Sequence, residues 1–105
     1  MTTFDDRERA FEAKFAHDAE MQFKAEARRD RLLGLWAAGL LGKTGPEAEA
    51  YAQEIIRADL RSAGEEDVFQ KIRDDLGGRA DDAAIRGRMQ AFLSEAKVQI
   101  MNEVG

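Results

Sequence analysis

Apolar residues recur along the chain at three- and four-residue intervals, the spacing of amphipathic helices, and they fall into four runs. The first run is the longest. At 100° per residue, Phe4, Phe11 and Phe15 lie within about 40° of one another, and Leu33, Trp36 and Leu40 fall on nearly the same meridian. Asp18, Gln22 and Arg29 interrupt the stripe between the two groups. No Gly or Pro stands between Met1 and Arg31, so the pattern predicts an unbroken helix over Phe4 to Leu41. Such a helix holds about 38 residues and is about 57 Å long, against about 30 Å for the width of a small domain, so part of it must project. Its N-terminal patch of three phenyl rings has no obvious partner elsewhere in the chain.

From Leu32 to Leu41 apolar side chains cover almost the whole circumference, which predicts a segment enclosed by other elements, with Gly34 and Gly39 permitting close helix approach. Gly42-Lys43-Thr44-Gly45-Pro46 ends it. A second helix starts at Thr44 or Gly45, where Thr44 and Glu47 form a capping-box pattern and Pro46 fits the first turn. Its inward face is Ala48, Tyr51, Ala52, Ile55 and Ile56, extended by Leu60, and Ser62-Ala63-Gly64 closes it. The third opens on Glu65-Glu66-Asp67, which suits the positive helix N-terminus, and buries Val68, Phe69, Ile72 and Leu76 before Gly77-Gly78. The fourth, capped by Asp81 or Asp82, turns Ile85, Met89, Phe92, Leu93, Ala96 and Ile100 to one side and fades near Asn102. Short connections make consecutive helices antiparallel neighbours. The expected fold is all-α: a four-helix bundle with a long N-terminal helix whose first ~18 residues are mobile or projecting. Residues 1–105 are expected to form a single helical domain, with 1–18 a flexible segment and 19–105 the bundle.

Composition narrows the chemistry. The chain has 105 residues, 35% of them charged, no Cys and one His, His17. Disulfides and thiolate metal sites are therefore excluded, and a His-based metal site or catalytic triad has too few ligands. A net charge of −5 argues against non-specific nucleic-acid binding, which needs a basic surface. The start, with Asp5 and Asp6, lacks a secretory core, and Leu32 to Leu41 is far short of the ~20 residues that span a bilayer. A cytoplasmic protein that does not insert into membranes is the expectation.

Three constellations have a bland reading that outweighs the chemical one. Asp5, Asp6, Glu8, Glu12 and Asp18 are interleaved with Arg7, Arg9 and Lys14, as on a solvated helix face rather than a metal site. Gly42-Lys43-Thr44 resembles part of a phosphate loop, but Ala37 stands where the first glycine belongs and no strand precedes it. Trp36 with Leu32, Leu33 and Leu40 reads as core rather than as a ligand pocket. The Phe4/Phe11/Phe15 stripe differs from these, because an amphipathic helix offering spaced anchors to a groove is a common recognition mode. Fold-back on the bundle and a dimer seam stay open beside partner binding.

Phe4-Asp5-Asp6-Arg7-Glu8-Arg9-Ala10-Phe11-Glu12-Ala13-Lys14-Phe15-Ala16-His17-Asp18, then Phe23-Lys24 and Arg31-Leu32-Leu33-Gly34-Leu35-Trp36-Ala37-Ala38, resemble the zeta subunit of alphaproteobacterial ATP synthases. The resemblance runs through Asp59-Leu60 and Asp75-Leu76 and implies a small four-helix inhibitor rather than an enzyme. It implies that the segment from Phe4 to about Asp18 enters the catalytic head of the synthase, among its alpha, beta and gamma subunits, and blocks ATP hydrolysis. The residues expected to touch the partner are Phe4, Asp5, Arg7, Glu8, Arg9, Phe11, Glu12, Lys14 and Phe15. No cofactor is expected. The resemblance also implies weak adenine-nucleotide binding of the kind linked to some family members, with no residue assigned to it, and a small nucleotide-binding or nucleotide-sensing helical module stays open as the alternative.

Overall fold

A computed structural model describes residues 18–61 and 64–104. Within them the chain forms four α-helices: α1 (Ala19–Leu40), α2 (Gly45–Arg61), α3 (Glu65–Leu76) and α4 (Asp82–Val104), with a 3₁₀ turn at Gly77–Arg79. The expectations for the first seventeen residues lie outside the described part of the chain.

Both ends of α1 and the start of α4 follow from local chemistry. Asp18 is extended (φ −120°, ψ 99°), and its Oδ1 accepts hydrogen bonds from the backbone N–H groups of Glu20 and Met21, both at 3.1 Å. It therefore caps α1. The unbroken helix expected from Phe4 to Leu41 does not run through position 18, because a competing side-chain cap bounds a helix as well as Gly or Pro does. At the other end Lys43 N–H donates to Ala38 O (2.9 Å) and Gly42 N–H to Gly39 O (3.1 Å), with Gly42 at φ +77°. This is the paired closure of a Schellman motif, and the Gly-Lys-Thr run belongs to a helix–helix turn. Asp81 caps α4, its Oδ1 accepting the Ala84 N–H at 2.7 Å.

Cross-helix contacts define the topology. Arg29 with Asp59 and Gly34 with Ala52 set α1 and α2 antiparallel; Arg28 with Glu103 and Trp36 with Arg88 do the same for α1 and α4. Glu66 with Arg86 and Arg73 with Asp82 run α3 against α4. The result is an up-down-up-down bundle in which α1 lies between α2 and α4.

The main core gathers Leu33, Ala37 and Ala38 of α1, Tyr51 and Ile55 of α2, Val68, Phe69, Ile72 and Leu76 of α3, and Ile85 and Met89 of α4. A smaller one holds Met21, Ala25 and Ile100. The expected face of α3 is buried; on that of α4, Ile85, Met89, Ala96 and Ile100 are buried and Phe92 and Leu93 are half-buried. Three expectations need correction. Leu32 to Leu41 is not enclosed: Leu33, Gly34, Ala37 and Ala38 are buried, but Leu32, Leu35 and Trp36 are half-buried and Leu40 is exposed. The other three helices together cover only one side of α1, so an apolar circumference does not require a closed sheath. Gly34 permits close approach, whereas a Cβ on Gly39 would meet nothing within 4 Å. Leu60 does not extend the α2 face and is 61% exposed.

Candidate functional site

The residues expected to bind a partner, Phe4, Asp5, Arg7, Glu8, Arg9, Phe11, Glu12, Lys14 and Phe15, lie outside the described residues. What the structure places is their attachment point and the surface next to it. Asp18 opens α1, and one to two turns further on Phe23 stands 54% exposed. Phe23, Ala27, Leu32, Ile56 and Ile100 line a groove of about 700 Å³ between α1, α2 and α4. Three cations of α1 stand at or near its rim, and each has an acid: Lys24 with Glu20 at 3.6 Å, Arg31 with Glu49 at 2.7 Å, and Arg28 with both oxygens of Glu103. The Arg28 guanidinium holds the Glu103 carboxyl below the usual range. The groove is thus apolar along its floor and balanced in charge at its rim.

Beneath this surface is a feature that the sequence reading did not foresee. Arg29 (3% exposed) and Asp30 (fully buried) interrupt the stripe of α1 between Ala25 and Leu33. Arg29 Nε donates to Asp30 Oδ1 at 2.9 Å, Nη1 reaches Glu65 Oε2 at 3.1 Å, and Nη2 lies 3.8 Å from Asp59 Oδ2. One guanidinium thereby joins α1 to the end of α2 and the start of α3. Such a fork can serve several carboxylates because its donors are fixed in a plane. Asp30 Oδ2 has no donor. Burial, and then the neighbouring Asp59, push the Asp30 carboxyl up to about 8, against the opposing pull of Arg29. The signal for this cluster was present: Arg29 is four residues from both Ala25 and Leu33, on the buried meridian.

At the other end of α2, Tyr51 Oη donates to Asp75 Oδ2 at 2.8 Å, and Lys71 Nζ donates to the same oxygen at 3.0 Å. Among the described residues no group of three or more His, Cys, Asp or Glu is arranged to hold a metal ion. No helix among them is long and apolar enough to cross a membrane.

The described residues thus form a small antiparallel four-helix bundle that begins at the Asp18 cap, with an exposed aromatic, Phe23, one to two turns further on. Compared with known protein families, the chain matches one described as "ATPase inhibitor subunit zeta" over residues 1–99. It belongs to that family. A comparison with curated proteins gives no match. A solved structure, described as a solution NMR structure, is 51% identical with a TM-score of 0.73, the match covering 79% of this chain and 98% of that one.

Proposed function

We infer that this chain inhibits ATP hydrolysis by the catalytic head of a rotary ATP synthase, inserting its N-terminal segment among the alpha, beta and gamma subunits. The observation that carries this reading is the family match, which begins at residue 1 and so includes the segment before Asp18. In this mechanism Phe4, Phe11 and Phe15 fill apolar pockets, while Arg7, Arg9, Glu8 and Glu12 meet charges lining the cleft. The Asp18 cap supports a division of labour, since it fixes where the bundle starts whatever conformation the preceding residues take. Binding energy in such interfaces concentrates in a few anchors, and aromatics are prominent among them. Inhibition is a matter of occupying a cleft, and no bond is made or broken by this chain.

The test is the ATPase rate of the isolated head with the wild-type chain and with a Phe11→Ala/Phe15→Ala variant. Loss of inhibition with an unchanged far-UV helix signal supports the reading; full inhibition by the variant refutes the role of the anchors.

A second reading, an adenine-nucleotide module, draws on the groove beside Phe23, where an aromatic face stands next to Lys24, Arg28 and Arg31. Each of those cations already has a carboxylate partner, so a phosphate would have to displace Glu20, Glu103 or Glu49. Amide shifts followed during ATP titration decide it: saturable changes confined to the groove favour it, and none removes it.

A further inference from the structure

The strongest unassigned feature is the buried cluster at the junction of α1, α2 and α3. We propose that Asp30, Arg29, Asp59 and Glu65 form a proton-dependent latch, which holds the end of α2 and the start of α3 against α1 when Asp30 is protonated and loosens when it ionises.

The argument begins from charge counting. One guanidinium faces three carboxyls, and two of the four side chains, Arg29 and Asp30, are almost entirely removed from water. Asp30 Oδ1 receives the Arg29 Nε–H, but its other oxygen is buried without a donor. An ionised Asp30 leaves that oxygen unsatisfied beside the Asp59 carboxylate, and both the missing bond and the like charge are unfavourable there. A protonated Asp30 has an O–H to donate, and Asp59 is the acceptor beside it. The proton thus turns a repulsive carboxylate pair into a hydrogen bond and leaves Arg29 to serve Asp59 and Glu65.

Among the described residues, the charges acting on Asp30 are Arg29 from its own helix and Asp59 from α2; Glu65 of α3 enters through Arg29, and none comes from α4. The direction follows. The folded-state value, about 8, lies above the value of about 3.9 for an unfolded Asp. Between those limits the native chain holds a proton that the unfolded chain has lost, so stability is greatest at the acid end and declines as pH rises through 8. The latch closes on the corner between α2 and α3, and α1, the helix to which it fastens that corner, is the one that follows the N-terminal segment.

The experiment uses the full chain. Carboxyl carbons are followed by NMR from pH 3 to 10, and thermal unfolding is recorded at pH 6 and pH 9 for wild type and Asp30→Asn. The asparagine amide keeps a permanent donor towards Asp59. Asp30 is expected to titrate near 8, the wild-type Tm to be lower at pH 9 than at pH 6, and that difference to shrink or vanish in Asp30→Asn. Should the variant not fold, Asp59→Asn decides: removing the adjacent charge should move the Asp30 midpoint downward. An Asp30 midpoint in the ordinary range of about 4 overturns the proposal. So does an undiminished pH difference in Asp30→Asn, or an Asp30 midpoint that does not move in Asp59→Asn.

Discussion

Gly34 on α1 lies directly over Ala52 on α2: a Cβ at Gly34 would come within 2.7 Å of the Ala52 Cα and 3.3 Å of Ile55 Cγ1. The nearest obstacle is backbone, which cannot swing aside as the end of a long side chain can. This contact sets how closely the two helices pack. Gly34→Ala should therefore force them apart and cost about 1–3 kcal/mol, read as a lower Tm in thermal unfolding. Gly39→Ala, five residues on where the added methyl meets nothing, should be neutral or stabilising by up to about 1 kcal/mol. Equal effects at both positions would mean that the approach of α1 to α2 is not limiting.

Asp18 gives a second prediction. Replacing it with Ala removes the acceptor for the Glu20 and Met21 amides. The expected cost is about 1 kcal/mol, with faster hydrogen exchange confined to the first turn of α1. Exchange rates unchanged at Glu20 and Met21 would show that these amides do not depend on the cap.

Tyr51 provides a check at alkaline pH. Burial raises its phenol well above the ordinary value, and the hydrogen bond to Asp75 adds to the effect. The sign is that of an acid held in its neutral form. The tyrosinate absorbance should stay absent as pH passes about 10 and rise only when the bundle unfolds. Tyr51→Phe removes this bond, leaving Lys71 as the donor to Asp75, and should cost about 0.5–1.5 kcal/mol in thermal unfolding. A tyrosinate signal appearing at the ordinary midpoint in the folded chain would count against the buried geometry.

The main core makes a prediction of its own. Leu76 and Ile72 are fully buried where α3 meets the other helices. Leu76→Ala should cost about 2–5 kcal/mol, whereas Leu60→Ala, at a side chain 61% exposed, should change the Tm little. Comparable losses at both sites would contradict the assignment of Leu60 to the surface.

Much of this fold was legible in the residues, and what escaped did so for physical reasons. The face of α3 could be read because that helix has one apolar side, so spacing alone selects Ile72 and Leu76; on α4 the same spacing picks out Ile85 and Met89, although that helix also carries an exposed Val98. Leu32 to Leu41 misled because its composition is apolar all round, and composition does not say how many neighbours a helix has. The break at Asp18 was missed because the search was for Gly and Pro, while the interrupting group was a carboxylate competing for two amides. Arg29 was taken as a polar gap in the stripe, although its place between Ala25 and Leu33 puts it inside. Its partners Asp59 and Glu65 stand 30 or more positions away in sequence, and only folding brings them together.

The division between an N-terminal segment that blocks and a bundle that supports it is most directly tested on the isolated synthase head. ATP hydrolysis is measured with the whole chain and with a chain lacking residues 2–17, which retains Asp18 and hence the α1 cap. The whole chain should suppress hydrolysis, and the shortened one should fold and leave the rate unchanged. Equal suppression by both would place the inhibitory contacts on the bundle and contradict the insertion mechanism.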